Sequence, residues 1–246
     1  MKISVKIFLL LFLAAWLSSC HKANRFDCLK STGQLTRIER SVHGFHSIHL
    51  EDDIDLYIHR DSICSIEIEG GKNLVDLVIT TIEDSMLYIS NSNKCNWVRS
   101  YQKRLKVYVG LPGLNQIWFG GSGEIVTTDT IKSNSLVVNL WGAGGNVHLL
   151  LDVHLAHLNI HTTTGDIYAK GRCGVGYYYS SSNGFIYSDN LETNLVYLLN
   201  NGTGDMYVHP MVTLEVEING QGDVYYKGDP VNKKEELNGQ GKLIKL

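Results

Sequence analysis

Gly220-Gln221-Gly222-Asp223-Val224 is the clearest copy of a five-residue pattern that recurs seven times between residues 120 and 246. The pattern is a glycine corner, then a residue that is usually polar, then an aliphatic residue. Its shared glycines are separated by 22, 20, 19, 20, 18 and 19 residues and are Gly123, Gly145, Gly165, Gly184, Gly204, Gly222 and Gly241. A fixed period of this length is typical of stacked repeats, in which no single unit buries its own apolar face.

The segments between the corners have the period of a β-strand, because apolar residues alternate with polar ones, as at Leu214, Val216 and Ile218. One repeat is long enough for two or three short strands, which is about one coil of a β-solenoid. In stacked coils, like positions lie roughly 4.8 Å apart. The residue two after each shared glycine is aliphatic or Met in all seven copies, which predicts one inward column: Ile125, Val147, Ile167, Ile186, Met206, Val224 and Leu243.

The sequence therefore predicts an all-β solenoid over 115–246, preceded by an irregular β lobe over 36–114; a single continuous domain over 36–246 is the alternative. The lobe has a β pattern without the repeat, and residues 73–81 fit either a helical turn or another strand. Six strands are predicted before the first repeat, between residues 36 and 119: Ser47–Leu50, Ile54–His59, Ser65–Glu69, Met86–Ser90, Leu105–Val109 and Gln116–Phe119.

Residues 1–19 have the organisation of a secretory signal peptide. Lys2 and Lys6 precede a short apolar run, and the small residues of Leu17-Ser18-Ser19-Cys20 follow it. This last segment resembles the lipobox of bacterial lipoproteins, and the resemblance implies cleavage before Cys20 and lipidation of that residue. An ordinary signal peptide followed by a chance cysteine is the alternative.

Lipidation at Cys20 predicts a protein anchored to the cell envelope, because several acyl chains on one residue bind a membrane far more firmly than one chain. The polar residues 20–35 are then the tether between the lipid and the fold. Cys20 is followed by His21 and not by Asp, which by the lipoprotein sorting rule favours the outer membrane.

Composition and cysteine usage exclude several other classes of protein. The 246 residues carry a formal charge of −3, which argues against a nucleic-acid partner. No Cys-x-x-Cys motif is present, so the sequence gives no support for a redox or zinc site. Free thiols and one disulfide both remain open for the four other cysteines, which are Cys28, Cys64, Cys95 and Cys173.

The chain resembles the putative auto-transporter adhesin head domain, also called the head GIN domain, over residues 38–246. The resemblance rests on Phe45-His46-Ser47-Ile48, on Asp55-Leu56-Tyr57-Ile58, on the segment 105–114 and on the glycine-corner repeats. Members of this family are lipoproteins and secreted proteins common in Bacteroidetes. The resemblance implies a right-handed parallel β-helix-like stack and a non-catalytic adhesion module with no cofactor.

Asp follows the glycine corner in three of the repeats, at Asp166, Asp205 and Asp223, and Glu124 lies in the same column. Glycine-rich repeats with Asp also build calcium-binding β-rolls, but these repeat every nine residues. Asp accepts backbone hydrogen bonds at turns and tolerates turn geometry. The longer period of this chain therefore favours turn chemistry over a metal site.

Asp205 and Asp223 also support an alternative function. If they lie one coil apart, their separation would be near the roughly 5 Å of a retaining glycosidase pair, and the protein would be a carbohydrate-active β-helix enzyme. Adjacent acidic corners, however, would occur in any such stack, and the short corners at 202–204 and 220–222 provide no loop to cover a catalytic site. The non-catalytic module is the preferred prediction.

Tyrosine occupies the position after the inward aliphatic residue in four successive repeats: Tyr168, Tyr187, Tyr207 and Tyr225. Strand alternation predicts that these rings point outward and form a ladder, on the same side as Asp166, Asp205 and Asp223. Such a ladder with flanking carboxylates suits a glycan or a surface protein as ligand. The alternative is that the stacked rings only shield the sheet.

Overall fold

The computed structural model describes residues 31–93 and 104–246, and these residues form β-strands and turns without an α-helix. The predicted all-β solenoid is confirmed, with about six turns and parallel bridges about 20 residues apart. A 3₁₀ turn, Val75–Leu77, precedes the strand Val78–Glu83, so the segment 73–81 contains both a turn and the start of a strand.

The strands of the first part of the chain are β1 (Leu35–Arg40), β2 (Ser47–Leu50), β3 (Ile54–Arg60), β4 (Ser65–Gly71), β5 (Val78–Glu83), β6 (Met86–Asn91), β7 (Leu105–Leu111), β8 (Gln116–Phe119) and β9 (Ile125–Thr127). Those that follow are β10 (Ile131–Leu140), β11 (Val147–Ile160), β12 (Ile167–Ser180), β13 (Ile186–Asn200), β14 (Met206–Ile218), β15 (Val224–Tyr226), β16 (Asn232–Leu237) and β17 (Leu243–Lys245).

The predicted inward column exists. Parallel pairing places its seven members next to one another, from Ile125 to Leu243. The first six are fully buried, and Leu243 is half-buried because it lies on the last coil. Burial of one aliphatic side chain contributes about 1.5–3 kcal/mol, so this column is a main source of stability.

Strand β12 has two parts, because its inward–outward alternation is interrupted around Gly171, where φ is +118°; we call this point the bend. Its first part buries Ile167 and exposes one edge of Tyr168, and its second part buries Tyr178 and exposes Tyr177. Two or three short strands per repeat were predicted. The coils of β9–β10 and β15–β16 have two strands each, whereas β11 to β14 are single long strands, because parallel pairing continues through the bend, as it does between β11 and β12 at Gly171. We call the outward side of the first part, where Tyr168 lies, the ladder face. The outward side of the second part, where Tyr177 lies, is called the second face.

Each corner needs glycine at its shared position because successive coils approach each other closely there. A Cβ atom at Gly145, Gly165 or Gly204 would overlap the carbonyl oxygen of the corresponding glycine on the preceding coil. Hydrogen bonds between corners hold this approach, for example from the Gly144 amide to the Gly121 carbonyl at 2.9 Å. Any side chain at these positions would push two coils apart.

The first part of the chain stacks out of sequence order. Strand β3 lies between β7 and β9, so Leu56 pairs with Val107 on one side and with Ile125 on the other. Likewise β2 lies between β6 and β8. The N-terminal strands therefore add coils to the same stack, and their residues belong to the same hydrophobic core as the repeats.

Both ends of the stack carry features that stop further pairing. At the N-terminal end, β1, β4 and β5 pair antiparallel with their neighbours. At the other end, Lys233 and Glu235 of β16 occupy positions that are paired with the buried Leu214 and Val216 of β14. Charged residues at inward positions of a terminal coil are a polar cap that disfavours end-to-end association.

Strand β1 begins at Leu35, which the sequence assigned to the tether, because Leu35 pairs with Gly71. The division into a lobe and a repeat region stays a prediction.

Cys64 and Cys173 are free thiols, whereas Cys28 and Cys95 lie outside the described residues. Over 31–93 and 104–246, no helix has the length and apolar character needed to cross a membrane.

Candidate functional site

The corner aspartates hold successive coils together. The Oδ1 atom of Asp166 accepts the backbone N–H of Phe185 at 2.8 Å, and Oδ1 of Asp205 accepts that of Asp223 at 2.8 Å. Asn146 does the same for the Asp166 amide at 3.0 Å. The column therefore performs turn chemistry, as the sequence favoured.

This geometry gives Asp205 and Asp223 a structural task. Asp223 continues the series by accepting the backbone N–H of Lys242 at 2.8 Å, so each of the two carboxylates has one oxygen committed to a corner amide. In the parts of the chain that the structure describes, no three His, Cys, Asp or Glu side chains are grouped so that they could hold a metal ion. These contacts favour a structural role for the pair over a catalytic one.

The four predicted tyrosines form one continuous stack on the ladder face. The ring centroids of Tyr168 and Tyr187 lie 4.7 Å apart, those of Tyr187 and Tyr207 lie 5.1 Å apart, and those of Tyr207 and Tyr225 lie 4.7 Å apart. Neighbouring rings are within 17° of parallel. All four side chains are half-buried. Each inner ring therefore has neighbours on both faces and presents its edge and hydroxyl group to solvent.

Two of the corner aspartates also position the ladder hydroxyls. Tyr168 Oη donates to Asp166 Oδ2 at 3.2 Å, and Tyr225 Oη donates to Asp223 Oδ2 at 3.4 Å. Tyr187 has an aromatic neighbour in place of an acid, since Phe185 stacks near it with centroids 5.7 Å apart. The carboxylates thus connect the corner column to the aromatic column.

Burial and the nearby carboxylates keep the ladder hydroxyls protonated. Burial, followed by the charge and the hydrogen bond of Asp166, raises the pKa of Tyr168 to about 12. The pKa values of Tyr187, Tyr207 and Tyr225 are also raised, first by burial and then by neighbouring Asp side chains. The stack is therefore a row of neutral phenols that can donate hydrogen bonds at physiological pH.

The aromatic column extends beyond the predicted residues. His148 stacks on Tyr168 with centroids 4.7 Å apart and an angle of 11°. On the N-terminal coils, Tyr57 and Tyr108 occupy the same column and stack 5.1 Å apart, and Val126 separates them from His148. The 20-residue period could not reveal Tyr57 and Tyr108 because their coils do not follow it.

A cleft of about 460 Å³ lies beside the His148 end of the stack. Val126 is the smaller residue at which the ring column is interrupted, and it contributes to the cleft with His148, Tyr168 and Tyr187. The remaining polar side chains of the lining are Thr127, Lys170, Asp189 and Asn190. Asp189 is held by Lys227, whose Nζ lies 2.6 Å from its Oδ2.

The second face carries its own aromatic columns, which sequence reasoning missed. His157, Tyr177 and Tyr197 stack at 5.0 and 5.1 Å. Trp141 stacks on His161 at 4.1 Å. Both sets follow the same 20-residue spacing, so aligning the repeats at these positions would have found them. The Tyr177–Tyr179 segment lies on one strand, with Tyr178 buried between its two outward neighbours.

Cys20, the predicted lipidation site, lies outside the described residues.

A comparison with protein families matches residues 44–230 to the model described as putative auto-transporter adhesin, head GIN domain. No curated protein matches the chain.

Solved structures show the same fold at low sequence identity. A protein described as a putative adhesin from Bacteroides fragilis is 24% identical, with a TM-score of 0.75; the match covers 87% of this chain and 97% of that one. Another putative adhesin, from Parabacteroides distasonis, is 20% identical with a TM-score of 0.61, over 87% and 98% of the two chains. A protein from the same organism described as a putative lipid binding protein is 20% identical with a TM-score of 0.64, over 87% and 97%.

Proposed function

The chain belongs to the putative auto-transporter adhesin head GIN domain family, and on that basis we propose that it is a non-catalytic adhesion module that binds a glycan through its ladder face. The family and the described neighbours support an adhesion-type role. They also support an extracellular or envelope-associated location. Lipid anchoring through Cys20 in the outer membrane belongs to the same proposal.

The observation that carries the proposal is the unbroken stack from His148 to Tyr225 beside an open cleft. A sugar offers apolar C–H faces and many hydroxyl groups, so it needs an apolar surface with closely spaced polar groups. The ladder provides phenol hydroxyls at a regular spacing, and the cleft adds the edges of Tyr168 and Tyr187 together with Asp189 and Asn190.

A non-catalytic function fits the contacts of the acidic residues. Asp205 and Asp223 each accept a corner amide from the next coil, and Asp223 also accepts a ladder hydroxyl. A glycosidase pair would instead have one carboxyl group free to donate a proton and the other free to act on the sugar. The enzyme alternative therefore has less support than binding.

A glycan array with the purified protein and two sets of tyrosine variants tests the proposal. Tyr168→Phe combined with Tyr187→Phe removes two hydroxyl groups at the cleft while the rings can still stack. Each lost hydrogen bond is worth about 0.5–1.5 kcal/mol, so we expect the affinity for retained glycans to fall by about fivefold or more in the double variant. Tyr177→Phe on the second face is the matched control and should bind as the unaltered protein does.

Two results would count against this function. The unaltered protein could retain no glycan, or the double variant and the control could lose affinity equally. An unchanged melting temperature in both variants is required for the comparison to report on binding.

A further inference from the structure

The second face contains a groove of about 330 Å³ that the ladder does not touch. We call it the tyrosine–glutamate groove. Its side chains come from five neighbouring strands, β11 to β14 and β16, and include Tyr177, Tyr179, Tyr197, Leu199, Glu215 and Glu217. Aromatic residues fill one end of the groove, and acidic residues fill the other.

Tyr197 is the last ring of its column, and we call the face that stacks on no other described ring its open face. One side of the ring stacks on Tyr177, with centroids 5.1 Å apart. The next position in the column is Glu215, which pairs with Tyr197 in the strand register. No other described ring stacks on Tyr197, in contrast to the inner rings of the ladder. An aromatic face next to a carboxylate is a favourable environment for a cation.

The acidic end of the groove has excess negative charge. Glu215 makes no hydrogen bond or ion pair with any residue that the structure describes, although it is half-buried. Glu217 accepts only the amide of Asn219, at 2.8 Å. Lys234 is the single lysine in the lining, and its Nζ is paired with Glu236 at 2.8 Å. Lys234 also attracts Glu215 and Glu217, so one lysine faces the three carboxylates of Glu215, Glu217 and Glu236, and the acidic end keeps an excess of two negative charges.

An apolar stripe runs beside the groove towards the bend. Leu155, Val175 and Leu195 occupy one outward column. Val212 and Tyr177 next to it are 41% and 42% exposed. A small amine would leave this stripe uncovered. A polypeptide segment could cover it with its own apolar side chains while it places a charged side chain in the groove.

We propose that the tyrosine–glutamate groove binds a lysine or arginine side chain carried by an extended segment of a protein partner. The cation lies between the open face of Tyr197 and the carboxylates of Glu215 and Glu217, and the apolar residues of the segment pack along Leu195 and Val212. This surface is separate from the ladder, so the protein would engage a glycan with one face and a protein with the other.

The test uses the full protein and a blocked pentapeptide of sequence AKLKA, with its side-chain-acetylated form as the neutral counterpart. Binding is followed by NMR of the tyrosine ring protons at low ionic strength. We expect the charged peptide to shift the ring signals of Tyr197, which are identified by their absence in Tyr197→Leu. The acetylated peptide should bind at least fivefold more weakly. Glu215→Gln should weaken the charged peptide at least threefold. Glu192→Gln, at an exposed position near the bend, is the matched control and should not weaken it.

The proposal is overturned if the charged peptide does not bind, if both peptides bind equally, or if Glu215→Gln behaves as Glu192→Gln does. Spermine provides a further arm: binding as strong as that of the peptide would show that the apolar stripe contributes nothing, and would also overturn the assignment to a protein segment. Because Tyr168 and Tyr187 are not altered, these outcomes leave the glycan proposal unaffected.

Discussion

The Asp166 carboxylate joins two coils and two columns at once. Its Oδ1 atom accepts the backbone N–H of Phe185, 19 residues later, at 2.8 Å, and its Oδ2 atom accepts the hydroxyl of Tyr168 at 3.2 Å. Asp223 repeats both contacts, with the Lys242 amide and the Tyr225 hydroxyl. The residue that the sequence marks as a turn former is therefore also the residue that orients the aromatic ladder.

Asp205→Ala should destabilise the protein by about 1–3 kcal/mol, because the half-buried amide of Asp223 would lose its acceptor. Asp205→Asn should retain most of the stability, since Asn146 performs the same task elsewhere in the column. Urea denaturation of both variants gives the two free energies of unfolding. An equal loss in Asp205→Ala and Asp205→Asn would show that the charge, and not the acceptor, is what matters.

Gly204→Ala should cost about 3 kcal/mol or more, since its Cβ would overlap the carbonyl oxygen of Gly184 and neither backbone can move away. Gly113→Ala is the matched control, because a Cβ at that turn would meet no atom within 4 Å. Thermal denaturation of the two variants measures the difference. A Gly204→Ala protein that melts with the control would contradict the close approach of the coils.

The repeat region was predictable because its neighbours in space are also neighbours in sequence. A column such as Ile167, Ile186 and Met206 repeats at the interval that separates one coil from the next, so the sequence alone defines the register. The same rule placed Tyr168, Tyr187, Tyr207 and Tyr225 in one stack. The sequence did not predict which part of each ring solvent reaches. Because the rings stack face to face, their edges are exposed and their faces are covered.

The N-terminal coils could not be placed in the same way. Leu56 pairs with Val107 and Ile125, and no short period connects residues so far apart in the chain. Strand positions there were nevertheless accurate, since Ser47–Leu50 and Gln116–Phe119 match the predicted bounds. Local alternation therefore predicted the strands, but their order in the stack depends on long-range packing.

Replacing Cys20 by Ser should release the protein from the membrane fraction and remove its metabolic acyl label. The thiol of Cys20 is the proposed attachment point, and no other residue of Leu17-Ser18-Ser19-Cys20 carries a thiol. Several acyl chains anchor a protein firmly to a membrane. The unlipidated protein would have only its protein contacts with the envelope. Fractionation of cells expressing each form decides this. Unchanged membrane retention together with an unchanged acyl label would refute lipidation at Cys20.

The raised pKa of Tyr168 makes the protein sensitive to alkaline pH. Its pKa is about 12, against an ordinary value of 10, first because the ring is buried and then because of the charge of Asp166. The folded state thus keeps a proton that the unfolded state releases. The associated stability is fully present below pH 10 and is lost as the pH rises towards 12.

Tyr168→Phe should therefore lose less stability than the unaltered protein between pH 9 and pH 11.5, where only the Tyr168 contribution distinguishes the two. Urea denaturation at both pH values measures the loss. Tyr88→Phe is the control, because its ring packs against His49, with centroids 5.2 Å apart, and lies away from Asp166. The control should lose as much stability as the unaltered protein. Equal losses in all three proteins would mean that Tyr168 titrates alike in the folded and unfolded states, and that burial in the ladder does not hold its proton.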